Sequence, residues 1–362
     1  LDDYITNDTY GLGKDLYLGD DLGADDFVPA FLDEGRHYSQ EGTYSFPFMK
    51  STEVMFYNKR YMQQIFNFYE QDTGSSIGDY EEYLNNLNWD EFMDLCQIIK
   101  NHESDFATGR FYPAVYDSDS NMFISQLIQS GNSFLSLDSN GKGVLDFDSD
   151  AAKDMVRDLK EDYDKGLFTT KGTINEYGSN LFTNGQAVFS IGSSGGASYN
   201  LPTGYSFEVG ICKVPPRCSK DKVSEAEYVS QGPTLAVLNN LQESDSQKAL
   251  EALYSWKFIK YITSTQVNIS FTDVSGGYIP VRQSCYEDEY YKEYLEDTTE
   301  VLSLSASLVV NQISGHYFNN PVFKGSSKAR DEVGGILAQV FLNSKTIDAA
   351  FDSAVNQIKV NM

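Results

Sequence analysis

The sequence predicts an α/β protein of two interleaved domains. Amphipathic helical segments alternate along the chain with short β-branched or aromatic segments, which is the pattern of an α/β fold. The 362 residues suffice for about two domains of ~150 residues, each with its own core. No fixed-period repeat or low-complexity linker separates two halves. We therefore expect the chain to cross between the domains more than once.

Four segments have the apolar periodicity of amphipathic helices. The clearest follows Asn88, a candidate N-cap, and its apolar side chains fall on one face, at Trp89, Phe92, Cys96 and Ile99. We predict helices at 89–100, 152–163, 249–262 and 348–360. Short β-branched or aromatic runs between Gly, Pro or Asn predict strands at 54–57, 187–191, 207–212 and 234–238. An Asn-Gly pair at 140–141 predicts a hairpin turn.

Composition and charge limit the classes of partner. The chain has 27 Lys+Arg and 53 Asp+Glu, a formal charge of −26, which disfavours nucleic acid and anionic lipid surfaces. Its 41% hydrophobic content is typical of a globular protein, and no apolar run approaches the ~18 residues of a membrane span. The four cysteines have no Cys-x-x-Cys spacing. We interpret them as buried free thiols rather than as a disulfide framework.

Metal and nucleotide motifs are incomplete. Segment 138–149 begins like a calcium loop, but it has Lys142 at position five and Ser149 at position twelve, where a bidentate Glu is required. The three histidines lie far apart and have no metal-ligand spacing. No glycine-rich dinucleotide fingerprint is complete. We therefore predict no metal and no cofactor.

The segment Gly192-Ser193-Ser194-Gly195-Gly196 fits the Gly-x-Ser-x-Gly pattern of a hydrolase nucleophile elbow and follows a predicted strand. An elbow leads into a long helix, whereas Pro202 and Gly204 interrupt this segment. The catalytic triad of such hydrolases has the chain order Ser, Asp, His, and His316 is the only histidine that comes after Ser194. We interpret the segment as a glycine-rich turn that faces a cleft. The alternatives are a secreted carbohydrate-active hydrolase, using Ser194 or a carboxylate pair, and an interaction domain without a small ligand.

Four segments carry a resemblance to a known family. They are YSFPFMKSTEVMFYNK (44–59), WDEFMDLCQIIK (89–100), LFTNGQAVFSIGSSGG (181–196) and FTDVSGGYIPVRQS (271–284). In this order and at these separations they resemble family 1 extracellular solute-binding proteins of carbohydrate ABC transporters, the maltose-binding-protein-like group. The resemblance implies a binding protein, not an enzyme, that delivers a sugar or oligosaccharide to membrane permease subunits.

The same resemblance implies a two-lobed, type II periplasmic-binding-protein-like fold with three interlobe crossings. Lobe 1 is expected at 1–48 and 233–291, and lobe 2 at 50–228 and 314–362. The crossings are expected to be short extended segments at 47–52, 228–233 and 296–305, which could serve as hinges. We expect a monomer on the extracellular face of a bacterial membrane. Its signal, its lipid anchor and the beginning of lobe 1 are expected to be missing from this chain.

Polar and aromatic residues of these segments are the expected ligand contacts. The chain has 25 Tyr and 23 Phe, and Tyr offers both an apolar ring face and a hydroxyl, which suits sugars. The resemblance implies ligand contacts at Ser51, Thr52, Tyr116, Asp117, Ser193, Ser194, Gly195, Tyr278, Arg282, Phe323, Ser326 and Arg330. No residue is expected to be catalytic.

Overall fold

A five-stranded mixed sheet organises the middle of the chain. The computed structural model describes residues 1–14, 22–238, 242–313 and 315–362. The strands in this part are β1 Phe46–Pro47, β2 Glu53–Asn58, β3 Tyr112–Tyr116, β4 Ser136–Leu137, β5 Gly143–Val144, β6 Phe168–Thr170, β7 Ala187–Ser193, β8 Val209–Lys213, β9 Tyr228–Val229, β10 Thr234–Leu235 and β11 Tyr317–Phe318. The central sheet has the order β6-β3-β7-β2-β8. β3 is parallel to β6 and β7, whereas β2 is antiparallel to β7 and β8.

The described residues also form helices, several of which pack on this sheet. They are α1 Asp2–Ile5, α2 Pro29–Glu34, α3 Lys59–Thr73, α4 Tyr80–Asn85, α5 Trp89–Asn101, α6 Glu103–Phe106, α7 Asp119–Gln129, α8 Asp150–Asp164, α9 Lys171–Ile174, α10 Gly178–Thr183, α11 Asp245–Ile262, α12 Thr265–Ser275, α13 Gln283–Glu287, α14 Glu289–Glu296, α15 Val301–Leu308, α16 Ser326–Phe341 and α17 Ile347–Lys359. α5 and α10 pack on the central sheet, and α16 packs against α7 and α17. Within the described residues, no helix combines the length and apolar character needed to cross a membrane.

The predicted helices and strands are confirmed, with ends that shift by a few residues. α5 begins with a capping box, because the Glu91 amide donates to Asn88 Oδ1 at 2.9 Å and the Asn88 amide donates to Glu91 Oε2 at 3.0 Å. β4 and β5 form the predicted hairpin. β10 is shorter than predicted, since only two of its residues pair with β1. Three cysteines are buried and Cys218 is half-buried.

Extended segments from separate parts of the chain meet beside the central sheet. Ser51 pairs with Gln231, Lys50 pairs with Ile279, and β9 runs parallel to β11. Segments 47–52 and 228–233 therefore lie side by side, an arrangement suited to a hinge. The lobe boundaries stay predictions, and Ser314, where the last lobe segment was expected to begin, lies outside the described residues.

The prediction of an extended crossing at 296–305 is wrong. α14 ends at Glu296 and α15 begins at Val301, so most of this segment is a helix end, a short loop and a helix start. α15 alternates apolar and small residues, a pattern that also occurs in strands. Its small side chains Ser303, Ser305 and Ala306 are fully buried, which lets the helix backbone pack closely against its neighbours.

Candidate functional site

A cavity of about 580 Å³ opens at the edge of the central sheet where β2 begins and where β3 and β7 end. Its volume is within the range of ~300–1,000 Å³ that is usual for small-molecule sites. Most of its lining side chains are polar: Glu53, Asp117, Ser118, Asn121, Tyr177, Ser179, Asn180, Gly192, Ser193, Gly196, Tyr199 and Asn200. The residues follow strand ends and helix starts, so rigid elements hold them in place.

A buried carboxylate forms the floor of the cavity. Glu53 is the first residue of β2 and is 3% exposed. The Tyr116 hydroxyl donates to its Oε2 at 2.6 Å, and Asn121 Nδ2 donates to its Oε1 at 2.8 Å. Arg330 on α16 donates to Asn121 Oδ1. Four elements of the fold, β2, β3, α7 and α16, therefore fix the position of this carboxylate.

Asp117 forms one wall of the cavity. It directly follows β3, and its Oδ1 accepts a hydrogen bond from the Gly178 amide at the start of α10. Its Oδ2 faces Gly192, where a Cβ would lie 3.3 Å away. Burial raises the pKa of the Asp117 carboxyl, and the Gly178 amide and the charge of Lys171 oppose this rise.

Two tyrosine rings stand at the rim of the cavity. Tyr177 is 54% exposed and Tyr199 is 76% exposed, unusually high values for large aromatic side chains. Lys171 Nζ lies 3.7 Å from the centroid of the Tyr177 ring. Exposed rings beside a polar cavity suit a ligand that has both apolar faces and hydroxyls.

The glycine-rich turn after β7 joins the cavity to the extended segment at 47–52. The Ser194 amide donates to the Thr52 carbonyl at 2.7 Å, and the Thr52 amide donates to Ser194 Oγ at 3.2 Å. Ser193 Oγ lies 3.4 Å from Ser51 Oγ. The ring of Tyr278 lies against Gly195, where a Cβ would be 2.6 Å from Cζ of the ring.

The structure places most of the predicted ligand contacts at or beside the cavity. Asp117 and Ser193 line it. The others in this group contact lining residues or the turn that holds them: Ser51, Thr52, Tyr116, Ser194, Gly195, Tyr278 and Arg330.

Three predicted contacts lie elsewhere. Arg282 is fully buried and forms an ion pair with Asp26 at 3.2 Å, because its backbone bridges to Phe27 and directs the side chain inward. Phe323 packs over Gly143 of the hairpin, and Ser326 Oγ accepts a hydrogen bond from the Phe323 amide at 3.4 Å. None of the three lines the cavity, so we leave them out of the proposed site.

Several lining residues were not among the predicted ligand contacts: Glu53, Ser118, Asn121, Tyr177, Ser179, Asn180, Gly192, Gly196, Tyr199 and Asn200. No local signal marked Glu53, since an acid at the start of a strand is usually exposed, and its partners Tyr116 and Asn121 are distant in sequence. No motif marks the segments around Tyr177 and Tyr199. Only the folded chain brings these segments to the ends of β3 and β7.

Comparison with known proteins decides the family. The bacterial extracellular solute-binding protein family matches residues 3–298, most of the chain. The chain belongs to this family. The resemblance that the four segments carry is therefore confirmed. No curated protein sequence is significantly similar to this solute-binding protein.

Solved structures share the fold of this solute-binding protein. Maltose-bound MalE3 of T. maritima has a TM-score of 0.65 at 17% identity, covering 93% of this chain and 77% of that chain. UgpB from Mycobacterium tuberculosis, in complex with glycerophosphocholine, has a TM-score of 0.68 at 18% identity, with coverages of 94% and 75%. A Thermotoga lettingae solute-binding protein bound with α-D-tagatose has a TM-score of 0.64 at 16% identity, with coverages of 93% and 76%. The predicted two-lobed α/β fold is confirmed.

The hydrolase alternative gains no support from the family or from Ser194. Ser194 is fully buried, and its oxygen accepts from a backbone amide rather than facing a histidine base. Two histidines have carboxylate partners elsewhere, His37 with Asp33 and His102 with Asp72. Membership of a solute-binding family agrees with the prediction that the chain is not an enzyme.

The Glu53 carboxyl should give the solute-binding protein a measurable pH dependence of stability. Burial raises its pKa from 4.5 to about 7, although hydrogen bonds from Tyr116 and Asn121 lower it. Between these values the folded state holds a proton that the unfolded chain has released. The contribution of this proton to the free energy of unfolding is complete below about pH 4.5 and is lost as the pH rises through about 7. The loss in the free energy of unfolding is on the order of 3 kcal/mol.

Glu53→Gln removes this titration. We expect urea unfolding at about pH 5 and about pH 8 to show a smaller loss of stability in the variant than in the unmodified protein. Glu161→Gln, an exposed change on α8, is the matched control and should leave the pH dependence unchanged. The same pH dependence in Glu53→Gln and in the unmodified protein would contradict the assignment.

Proposed function

We propose that this solute-binding protein is the extracellular carbohydrate-binding component of an ABC importer. It captures a sugar or oligosaccharide in the cavity at the edge of the central sheet and delivers it to the membrane permease subunits. The observation that carries this proposal is the combination of a cavity lined mostly by polar residues with the exposed rings of Tyr177 and Tyr199. Sugars present hydroxyls to polar groups and C–H faces to rings. Neighbours that bind maltose and tagatose share the fold.

The cavity has enough groups for useful affinity. A net hydrogen bond contributes about 0.5–1.5 kcal/mol, and micromolar binding requires about 8 kcal/mol. Several polar contacts and the burial of ring faces are therefore needed together. The proposed contacts are Glu53, Asp117, Asn121, Tyr177, Ser193, Tyr199, Asn200 and Tyr278.

Binding is coupled to closure of the two lobes. Tyr278, in the segment expected to belong to lobe 1, lies against Gly195 in the turn expected to belong to lobe 2. A ligand that contacts both lobes favours the closed arrangement by its higher affinity for that arrangement. The paired segments 47–52 and 228–233 are the hinge that absorbs the motion. The closed monomer, anchored by a lipid at the outer face of the membrane, is the form that the permease recognises.

A panel of mono- and oligosaccharides tests the proposal by thermal shift and calorimetric titration. A ligand at 100-fold its dissociation constant adds about 2.7 kcal/mol of stability, so a binding sugar should raise the melting temperature clearly. Saturable heat with one site and chemically intact sugar afterwards supports the proposal. Products that accumulate with time, and disappear in Asp117→Ala or Ser194→Ala, would instead establish the hydrolase. No shift with any member of the panel would contradict carbohydrate binding.

A further inference from the structure

Two of the three asparagines in the described cavity lining, Asn121 and Asn200, direct their amide donors toward the protein. Asn121 Nδ2 donates to Glu53, and Asn200 Nδ2 donates to the Gly196 carbonyl at 3.5 Å. Asn200 is 3% exposed, and its Oδ1 has no hydrogen-bond partner among the described residues. At Asn200 Oδ1 and at the Asp117 carboxyl, the atoms that can meet a ligand are therefore acceptor oxygens, to which a ligand must donate.

The charges around the cavity also favour a ligand that donates hydrogen bonds over an anionic one. Both charged residues in its described lining, Glu53 and Asp117, are carboxylates. The nearby cations lie outside this lining: Arg330 donates to Asn121, and Lys171 lies over the Tyr177 ring. Proteins that hold a carboxylate or phosphate commonly place Arg or Lys against it. In the described lining an anionic ligand would meet no such cation. It would face Asp117 and, above about pH 7, a second carboxylate at Glu53, which is costly in a buried site.

We propose that this cavity selects against anionic saccharides and accepts neutral or amine-bearing ones, and that Asp117 is the main specificity-determining residue. The inference rests on the proposed function and narrows its ligand class. We assign this role to Asp117 rather than to Glu53. Asp117 Oδ1 accepts from the Gly178 amide, while its Oδ2 lies on the Gly192 side of the cavity. The Glu53 oxygens, by contrast, already accept from Tyr116 and Asn121.

Sugars of similar size but different charge test the inference. The first series is glucose, glucosamine and glucuronic acid, and the second is cellobiose, the chitosan disaccharide and cellobiouronic acid. Calorimetric titration at about pH 8, where Glu53 is ionised, and at about 0.15 M salt should show the uronic acids binding at least about tenfold more weakly than the neutral or amino sugars of the same series. Equal or tighter binding of a uronic acid would overturn this inference and leave carbohydrate binding standing. Binding of no member would contradict both.

Variants then identify the residue. Asp117→Asn keeps an oxygen for the Gly178 amide and replaces an acceptor by a donor, so the preference for neutral sugar should fall from at least about tenfold to under about threefold. Asp352→Asn, an exposed change on α17, is the matched control and should keep the preference. Glu53→Gln, measured at about pH 8, is the second variant. We expect it to reduce the preference for neutral sugar less than Asp117→Asn does. An unchanged preference in both cavity variants would overturn the role of the carboxylates.

Discussion

Gly195→Leu should weaken saccharide binding at least about a hundredfold, equivalent to about 2.7 kcal/mol, while the protein stays folded. A Cβ at this position would lie 2.6–3.0 Å from three atoms of the Tyr278 ring, closer than such atoms can approach. The leucine side chain would occupy the place of that ring. The lobes can avoid the clash by staying apart, so the expected loss is in closure rather than in folding. Calorimetric titration with urea unfolding separates the two effects.

Two further variants control this result. Gly78→Leu adds the same side chain outside the cavity lining, at a position where a Cβ would meet no atom within 4 Å, and should change affinity by less than about threefold. Tyr278→Ala in the Gly195→Leu background removes the clash and should restore part of the affinity. Unmodified affinity in Gly195→Leu would show that Tyr278 does not rest on Gly195 in the ligand-bound protein.

Trp256→Ala should destabilise the protein by about 3–5 kcal/mol. Trp256 on α11 is fully buried, and its ring meets that of Phe46 edge-on at 5.5 Å. Its Nε1 donates to the Tyr10 carbonyl at 2.9 Å. The substitution therefore leaves a large cavity and removes a bond that ties the beginning of the chain to α11. Urea unfolding measures the loss of stability.

The same helix supplies a matched control. Tyr254 is also an aromatic residue of α11, but it is 64% exposed. Tyr254→Ala should change stability by no more than about 0.5 kcal/mol. A loss below about 1 kcal/mol for Trp256→Ala would contradict the packing of α11 on the first 14 residues.

Four helices and four strands could be predicted because their signals are local. The periodicity that predicted α5 reflects side chains that pack on one face, and Asn88 caps that helix as its position suggested. The Asn-Gly turn likewise required only neighbouring residues. α15 was missed as a helix because alternating Leu and Ser are compatible with two structures, and packing decided between them.

The site was predicted only in part because it is built from distant segments. Ser193 closely follows the strand predicted at 187–191, whereas Asp117 was implied by the family resemblance. Tyr177 and Tyr199 have no sequence motif and reach the cavity only when α10 and the 3₁₀-helix Ser194–Asn200 dock at the sheet edge. Arg282 follows a recognisable Pro-Val motif, yet a backbone bridge directs it into an ion pair with Asp26.

Distance measurement between the two lobes tests the central claim most directly. Labels on Glu161→Cys and Glu251→Cys, exposed positions on α8 and α11, report lobe separation in a Cys218→Ser background, where the remaining cysteines are buried. The panel saccharide of highest affinity should move the distance distribution to one shorter population, and the sugar should be recovered intact. In Gly195→Leu the longer population should persist. In the labelled protein that retains Gly195, an unchanged distance distribution would contradict capture by lobe closure if calorimetry shows that the saccharide is bound.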